Sequence, residues 1–150
     1  MEEERKIKAF LLYGPPASGK TTIADFLSNR LNAKYISVGF VTRKEIARQT
    51  ILGRELKKCL DAVIEYPAKL ISTVMEKEIE TAKSKFHALI IDGFPKYEWE
   101  IPEFLKILNK QTIGINGVFI IDLPFETVKK RVKSRRICKS CLNQQEEGVF

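Results

Sequence analysis

Short apolar runs alternate with amphipathic stretches along most of this chain, and the alternation predicts an α/β fold. Four of the runs have the length and composition of strands: 7–13, 35–37, 87–92 and 117–123. The first and third are each followed at once by a glycine, Gly14 and Gly93, which marks a turn at the end of a strand. We therefore predict a parallel sheet with helices in its connections.

The segments between these runs repeat apolar residues at helical spacing. Residues 39–85 predict several helices, with breaks near Gly53 and Pro67, and contain an apolar stripe that we expect to face the core. The stripe consists of Leu70, Ile71, Val74, Met75, Ile79 and Ala82. A further helix opens at Pro124, whereas the tail after Ile137 shows no clear period.

The composition is that of a folded protein with anionic partners. The chain has 150 residues, 44% of them hydrophobic, and a formal net charge of +7. This length predicts one compact domain, and the charge favours binding of phosphates, nucleic acid or an acidic membrane surface. We expect a cytoplasmic protein, because the N-terminus lacks signal-peptide features and no apolar run approaches the ~18 residues of a membrane span. The odd number of cysteines, Cys59, Cys138 and Cys141, fits a reducing compartment.

A glycine-rich segment after the first predicted strand matches the phosphate-loop pattern G-x-x-x-x-G-K-[ST]. It reads Gly14, Pro15, Pro16, Ala17, Ser18, Gly19, Lys20 and Thr21, and Thr22 follows. Such a loop wraps a polyphosphate because its backbone N–H groups point inward and the following helix adds partial positive charge. We expect Lys20 to reach the β- and γ-phosphates and Thr21 to offer its hydroxyl to Mg²⁺.

Asp92 ends the third predicted strand. Open parallel sheets bind ligands at the carboxyl ends of their strands, where an acidic residue can orient Mg²⁺ through water. A turn aspartate without any ligand also fits this position. We expect Asp92 to be a metal residue beside Thr21.

Four segments, in the same order, resemble those of the adenylate kinase family. They are the phosphate loop, residues 36–43 at the start of the monophosphate-binding segment, the sequence D-G-F-P-K at 92–96, and residues 122–141 on the approach to a zinc-type lid. The resemblance implies a P-loop NTPase-type parallel sheet flanked by helices. It also implies a core at 1–37 and 86–136, a helical monophosphate-binding arm at 38–85 and a partial lid at 137–150.

The resemblance implies phosphoryl transfer from ATP, with Mg²⁺, to a nucleoside monophosphate, which for this family is AMP. Lys20, Arg131 and Arg135 would be catalytic, and the two arginines would face ATP. Residues that would bind the acceptor are Val38, Gly39, Arg43, Gly93, Phe94, Lys96 and Glu100. Without the motif spacing, a solvated charge on a helix face would be the favoured reading of Arg43, Lys96, Arg131 and Arg135.

Several positions depart from the family pattern. Lys96 stands where the signature has arginine, and its point charge cannot make a planar two-pronged contact with phosphate. Val38 and Phe40 replace a threonine and an aspartate, so a hydroxyl and a helix cap are expected to be absent. Glu100 stands where a glutamine reads adenine, and a carboxylate that only accepts hydrogen bonds suits a guanine edge. Alternatively, Glu100 lies on a solvated helix face.

Cys138 and Cys141 have zinc-knuckle spacing but form half of a four-ligand site. We expect the chain to stop before the second cysteine pair, two further arginines and a fifth strand of the family. Two readings follow: a monomeric nucleoside monophosphate kinase, or a nucleotide-binding module with impaired transfer. Nucleic-acid binding is disfavoured because no aromatic residue is interleaved with the basic residues from 129 to 141.

Overall fold

A four-stranded parallel sheet in the order β2-β3-β1-β4 forms the centre of the molecule. The computed structural model of the protein describes residues 6–146, with the backbone only at 144–146. The strands are β1 Ile7–Tyr13, β2 Ala33–Ser37, β3 Ala88–Asp92 and β4 Ile113–Ile120. The predicted parallel α/β fold is confirmed.

The fourth strand lies earlier in the chain than the sequence predicts. It spans Ile113–Ile120 rather than 117–123. Its pairing with β1 shifts register, because Ala9 pairs with Ile115 whereas Phe10 pairs with Gly117. Asn116 is the extra residue of this bulge, and it divides the apolar run into two pieces, of which the first is too short to predict a strand.

Within the described residues, six α-helices connect and follow the strands. They are α1 Lys20–Leu31, α2 Val38–Ala47, α3 Ile51–Asp61, α4 Ala68–Lys83, α5 Ile101–Lys110 and α6 Phe125–Lys133. The break predicted near Gly53 falls just before α3, and Gly53 itself lies within that helix. A Cβ atom on Gly53 would lie 2.1 Å from the carbonyl oxygen of Glu45, so the close crossing of α2 and α3 requires a glycine here.

The two faces of the sheet bury unequal amounts of apolar surface. The larger cluster includes the predicted stripe of α4, and Ile71, Val74, Met75, Ile79 and Ala82 are all buried. A smaller cluster lies under α1 and contains Leu12, Ala24, Ala33, Ala88 and Ile90. The apolar face of α6 is not covered by the described part of the chain, and Phe125 is 74% exposed.

The tail folds into a short antiparallel hairpin of β5 Arg135–Ile137 and β6 Gln144–Glu146. Strands of three residues are too short to show alternation, which is why the sequence predicted no element here. The predicted core and lid bounds at 1–5 and 147–150 lie outside the described residues. No helix within 6–146 combines the length and apolar content that crossing a bilayer requires.

Candidate functional site

The phosphate-loop pattern forms a tight turn between β1 and α1. Ala17 and Gly19 have left-handed backbone conformations, with φ of 59° and 91°. The N–H of Ser18 donates to the carbonyl oxygen of Pro15 at 3.2 Å. A Cβ atom on Gly14 would lie 2.7 Å from the carbonyl oxygen of Ile121, so this position accepts only glycine. The turn delivers the chain directly into the N-terminus of α1.

Lys20 folds back across this turn. Its Nζ donates to the carbonyl oxygens of Gly14 at 2.9 Å and Pro15 at 2.8 Å. Burial lowers the pKa of Lys20, and the negative charge of Asp92 opposes that shift. The ammonium group is therefore held over the loop that the sequence assigns to polyphosphate, near the carboxylate assigned to the metal.

Asp92, at the end of β3, is linked to α1 through Tyr35, a residue that the sequence analysis did not select. Tyr35 Oη donates to Asp92 Oδ2 at 2.7 Å and lies 3.4 Å from Thr21 Oγ1. Burial raises the pKa of Asp92, and the Tyr35 hydrogen bond opposes the shift. The only sequence signal for this contact is a tyrosine near the end of a short strand, and the order of strands is needed to interpret it.

Two cationic side chains, Lys20 and Arg135, lie within electrostatic reach of this carboxylate, and a third, Arg43, lies within reach of Arg135. After burial, the charge of Arg135 is the next influence that lowers the pKa of Arg43, and it also lowers the pKa of Lys20. Arg135 also opposes the rise in the pKa of Asp92. Arg135 thus lies within electrostatic reach of both Lys20 and Arg43. Neighbouring cations of this kind are typical of an anion-binding site.

Arg131 contacts the backbone of the phosphate loop. Its Nη1 donates to the carbonyl oxygen of Ala17 at 3.3 Å. Both arginines that the sequence assigned to the donor nucleotide, Arg131 and Arg135, therefore lie near the loop. Pro16 and Thr22 are exposed.

A cavity of about 720 Å³ extends from the start of α1 towards α2. Thr21 lies at one part of its wall and Arg43 at another, so predicted metal-binding and acceptor-binding residues share one space. The cavity is also lined by Asp25, Ser28, Asn29, Ala33, Lys34, Tyr35, Ser37, Phe40 and Asn143. Its lining carries both signs of charge and two aromatic side chains, Tyr35 and Phe40, and its many polar groups suit a polar ligand.

The start of α2 lies against the loop after β3. A Cβ atom on Gly93 would lie 3.0 Å from Val38 Cγ1, so these two predicted acceptor residues are in contact. The helix cap that was expected to be absent is supplied by Ser37, whose Oγ accepts from the N–H of Phe40 at 3.4 Å. Replacement of the family's aspartate by Phe40 therefore leaves α2 capped.

Arg43 extends along α2 and contacts the C-terminal hairpin. Its Nη1 would lie 3.1 Å from a Cβ atom on Gly39, and its Nε donates to the carbonyl oxygen of Leu142 at 3.1 Å. The guanidinium thus lies between the arm and the hairpin.

The remaining predicted acceptor residues have other contacts. Phe94 has no exposed surface and packs edge-on against Phe104 in the core. Lys96 lies 3.8 Å from Glu65 Oε2, and its Nζ is 4.6 Å from the centre of the Tyr97 ring. The side chains of Phe94 and Lys96 therefore pack and pair within the protein.

Glu100 is buried, with 4% of its surface exposed. Its Oε2 accepts from the backbone N–H groups of Lys96 at 2.6 Å and Tyr97 at 3.3 Å. The alternative that Glu100 lies on a solvated helix face is therefore wrong. The carboxylate holds the turn that precedes α5, a role that a single sequence does not reveal.

Cys138 and Cys141 lie in the turn of the hairpin. The N–H of Cys141 is 3.5 Å from Cys138 Sγ, and this contact lowers the pKa of the Cys138 thiol. Among the residues described, no group of three His, Cys, Asp or Glu side chains is arranged to hold a metal ion. Within 6–146, the half-site predicted from Cys138 and Cys141 therefore has no further ligands arranged to complete a zinc site.

The sequence matches one known family along most of its length. A sequence model described as adenylate kinase matches residues 12–149. The adenylate kinase of Mycoplasmopsis pulmonis is 33% identical over 135 residues, which are 90% of this chain and 62% of the relative. That of Borreliella burgdorferi is 39% identical over 130 residues, 87% of this chain and 59% of the relative. The chain thus spans about 60% of the length of these curated relatives.

Proposed function

The chain belongs to the adenylate kinase family, and on that premise we propose that it carries the nucleotide-binding part of an ATP-dependent nucleoside monophosphate kinase. The observation that carries the proposal is that Lys20 folds over the phosphate loop while Arg135 lies within electrostatic reach of Lys20, Arg43 and Asp92. A cluster of cations at a phosphate loop is what the transfer of a highly charged phosphoryl group requires.

The proposed reaction moves the terminal phosphoryl group of ATP. An oxygen of the acceptor phosphate attacks the γ-phosphorus, the bond from that phosphorus to the bridging oxygen breaks, and ADP and a nucleoside diphosphate result. Lys20 would leave the loop carbonyls for the β- and γ-phosphates, and Arg131 and Arg135 would bind the donor side. Arg43 would bind the acceptor phosphate, so that the two phosphates lie in line.

The residues around Asp92 fit a magnesium ion. A buried carboxylate and a nearby threonine hydroxyl, Asp92 and Thr21, are the hard oxygen donors that Mg²⁺ prefers, directly or through water. When held by these residues, Mg²⁺ would offset the negative charge of the phosphates during transfer.

We propose AMP as the acceptor, because the matched relatives carry the name adenylate kinase. Val38, Gly39 and Gly93 would form the wall beside its phosphate, and Lys96 would have to leave Glu65 to reach it. Glu100 gives no support for guanine, since its Oε2 already accepts from two backbone N–H groups. A monomer with a core at 1–37 and 86–136, an arm at 38–85 and a lid from 137 is part of the same proposal.

A second candidate is a nucleotide-binding module with impaired transfer. The observation that favours it is the pairing of Lys96 with Glu65, which takes one proposed acceptor cation away from the site. This candidate predicts ATP binding without formation of ADP from AMP, GMP, CMP or UMP, whereas the kinase predicts stimulation of ATP consumption by one of them.

Thermal unfolding with Mg·ATP tests the binding that both candidates share. At about 100 times the dissociation constant, bound nucleotide should raise the melting temperature of the protein by several degrees, about 2.7 kcal/mol of stabilisation. Lys20→Ala should lose most of this shift. Lys77→Ala, an exposed lysine of α4, is the matched control and should retain it. An unmoved melting temperature in the unaltered protein would overturn the proposal.

A further inference from the structure

Tyr35 lies between the two groups that the proposed function assigns to Mg²⁺. Its hydroxyl donates to Asp92 Oδ2 at 2.7 Å and is 3.4 Å from Thr21 Oγ1. We propose that Tyr35 is a positioning residue, which fixes the Asp92 carboxylate beside the phosphate loop for binding of the metal-nucleotide complex. The inference rests on the proposed function, since it concerns the same site.

The register of the sheet brings the two side chains to one face. Ser37 pairs with Asp92 and Tyr35 with Ile90 in the parallel ladder of β2 and β3. Paired residues and those two positions away share a face of a sheet, so Tyr35 and Asp92 both lie on the face covered by α1. Thr21, in the first turn of α1, meets them there.

Packing fixes the ring of Tyr35. The side chain is partly buried and packs against the smaller core cluster under α1, which includes Ala24 and Ile90. A ring held in this way keeps its hydroxyl in one place, so the carboxylate that accepts from it is oriented before any ligand arrives.

The hydrogen bond matters because Asp92 is buried, with 8% of its surface exposed. In the described part of the chain, Tyr35 is the side chain that hydrogen bonds to this carboxylate. The contact uses Oδ2 and leaves Oδ1 for a metal ion or its water. It also opposes the effect of burial on the Asp92 pKa more strongly than either the charge of Lys20 or the charge of Arg135 does.

Without the hydroxyl, no hydrogen bond described in the structure would hold the orientation of the Asp92 carboxylate. A carboxylate that turns would no longer face the metal, and binding of the metal-nucleotide complex would weaken. The affinity for ATP without metal would change little.

Calorimetry on Tyr35→Phe tests the inference, because phenylalanine keeps the ring and removes only the hydroxyl. ATP is titrated into the protein with Mg²⁺ and, separately, with EDTA. Loss of a hydrogen bond to a charged group should weaken Mg·ATP binding about tenfold and leave the metal-free dissociation constant within about twofold. Tyr66→Phe, which removes a hydroxyl from the arm, is the matched control and should change neither constant.

A double-mutant cycle with Asp92→Asn separates positioning from a general effect on folding. If Tyr35 acts through Asp92, the double variant should bind Mg·ATP no more weakly than Asp92→Asn alone. Equal weakening with and without Mg²⁺, additive effects in the cycle, or unchanged Mg·ATP binding by Tyr35→Phe would each overturn the inference.

The two proposals fail in different ways. Unchanged Mg·ATP binding by Tyr35→Phe, with phosphoryl transfer intact, would overturn the positioning role alone. A metal-selective loss in Tyr35→Phe, with no monophosphate consumed by the unaltered protein, would support positioning and overturn the kinase. Absence of any ATP binding by the unaltered protein would overturn both.

Discussion

The guanidinium of Arg43 joins helix α2 to the C-terminal hairpin, because its Nε donates to the carbonyl oxygen of Leu142 at 3.1 Å. The two residues are 99 positions apart in the chain. Burial lowers the pKa of Arg43, and the nearby charge of Arg135 lowers it further. An anionic ligand at this guanidinium would relieve that repulsion, so acceptor binding and hairpin position are expected to be coupled.

Arg43→Ala should therefore loosen the hairpin. Hydrogen exchange of the backbone amides at 138–143 should become faster in the variant, since the anchor of Leu142 is lost. Arg54→Ala is the matched control, because Arg54 also donates to a backbone carbonyl, that of Gln49, but within the arm. Identical exchange at 138–143 in Arg43→Ala and the unaltered protein would contradict the coupling.

Gly53→Ala should destabilise the protein by about 1–3 kcal/mol, because the new methyl group meets the backbone of Glu45 at 2.1 Å and neither helix can yield easily. Gly39→Ala is the matched control. Its methyl group would have the side-chain atom Nη1 of Arg43 as nearest neighbour, at 3.1 Å, rather than backbone, and stability should change by about 0.5 kcal/mol or less. Urea unfolding of both variants gives the comparison. Equal costs would show that α2 and α3 do not cross so closely.

Glu100→Ala should lower the free energy of unfolding by about 1–3 kcal/mol, because the N–H groups of Lys96 and Tyr97 lose a buried acceptor. Glu100→Gln keeps an oxygen acceptor in place, so its free energy of unfolding should fall less than that of Glu100→Ala, as measured by urea unfolding.

The same pair of variants tests whether Glu100 reads a base. With its Oε2 engaged by the backbone, Glu100→Gln should leave the ratio of AMP to GMP dissociation constants unchanged within about twofold. A shift of tenfold or more towards AMP would show that the carboxylate contacts the base instead.

Tyr13→Phe should change the alkaline stability of the protein. Burial, and then the charge of Glu100, raise the pKa of Tyr13 above its ordinary value of 10.0. The folded state therefore keeps a proton that the unfolded chain loses. The associated stability is fully present below about pH 10 and is lost as the pH rises through the folded-state pKa.

The free energy of unfolding should thus fall less steeply above about pH 10 in Tyr13→Phe than in the unaltered protein. Near pH 7 the variant should lose about 1 kcal/mol, since Tyr13 Oη donates to the carbonyl oxygen of Pro95 at 2.7 Å. Unfolding curves measured across this pH range supply both numbers. If the free energy of unfolding depended on pH in the same way in both proteins, the raised pKa of Tyr13 would be contradicted.

The spacing of apolar residues predicted those elements that bury one face at regular intervals. The stripe of α4 is an example, because its apolar residues recur at helical spacing and nearly all are buried. The start of β4 was missed because a bulge at Asn116 breaks the pattern, and the hairpin was missed because its strands have three residues each.

The candidate site was predicted where chemistry follows the local sequence and missed where it depends on the sheet order. Lys20 and Thr21 belong to a continuous pattern. Tyr35 reaches Asp92 only because β2 and β3 are neighbours, and no local pattern specifies that pairing. Glu100 was selected by spacing, but whether its side chain turns to a ligand or to its own backbone depends on packing around the turn.

Strand β4 ends the sheet, and within residues 6–146 no strand pairs with its outer side. Val118, Phe119 and Ile120 are all more than half exposed there. Unpaired backbone N–H and C=O groups of an edge strand, next to exposed apolar side chains, can pair with the same edge strand of another molecule. Concentrated solutions of this polypeptide should accordingly aggregate sooner than dilute ones, as measured by light scattering. The variant Val118→Lys should delay this aggregation.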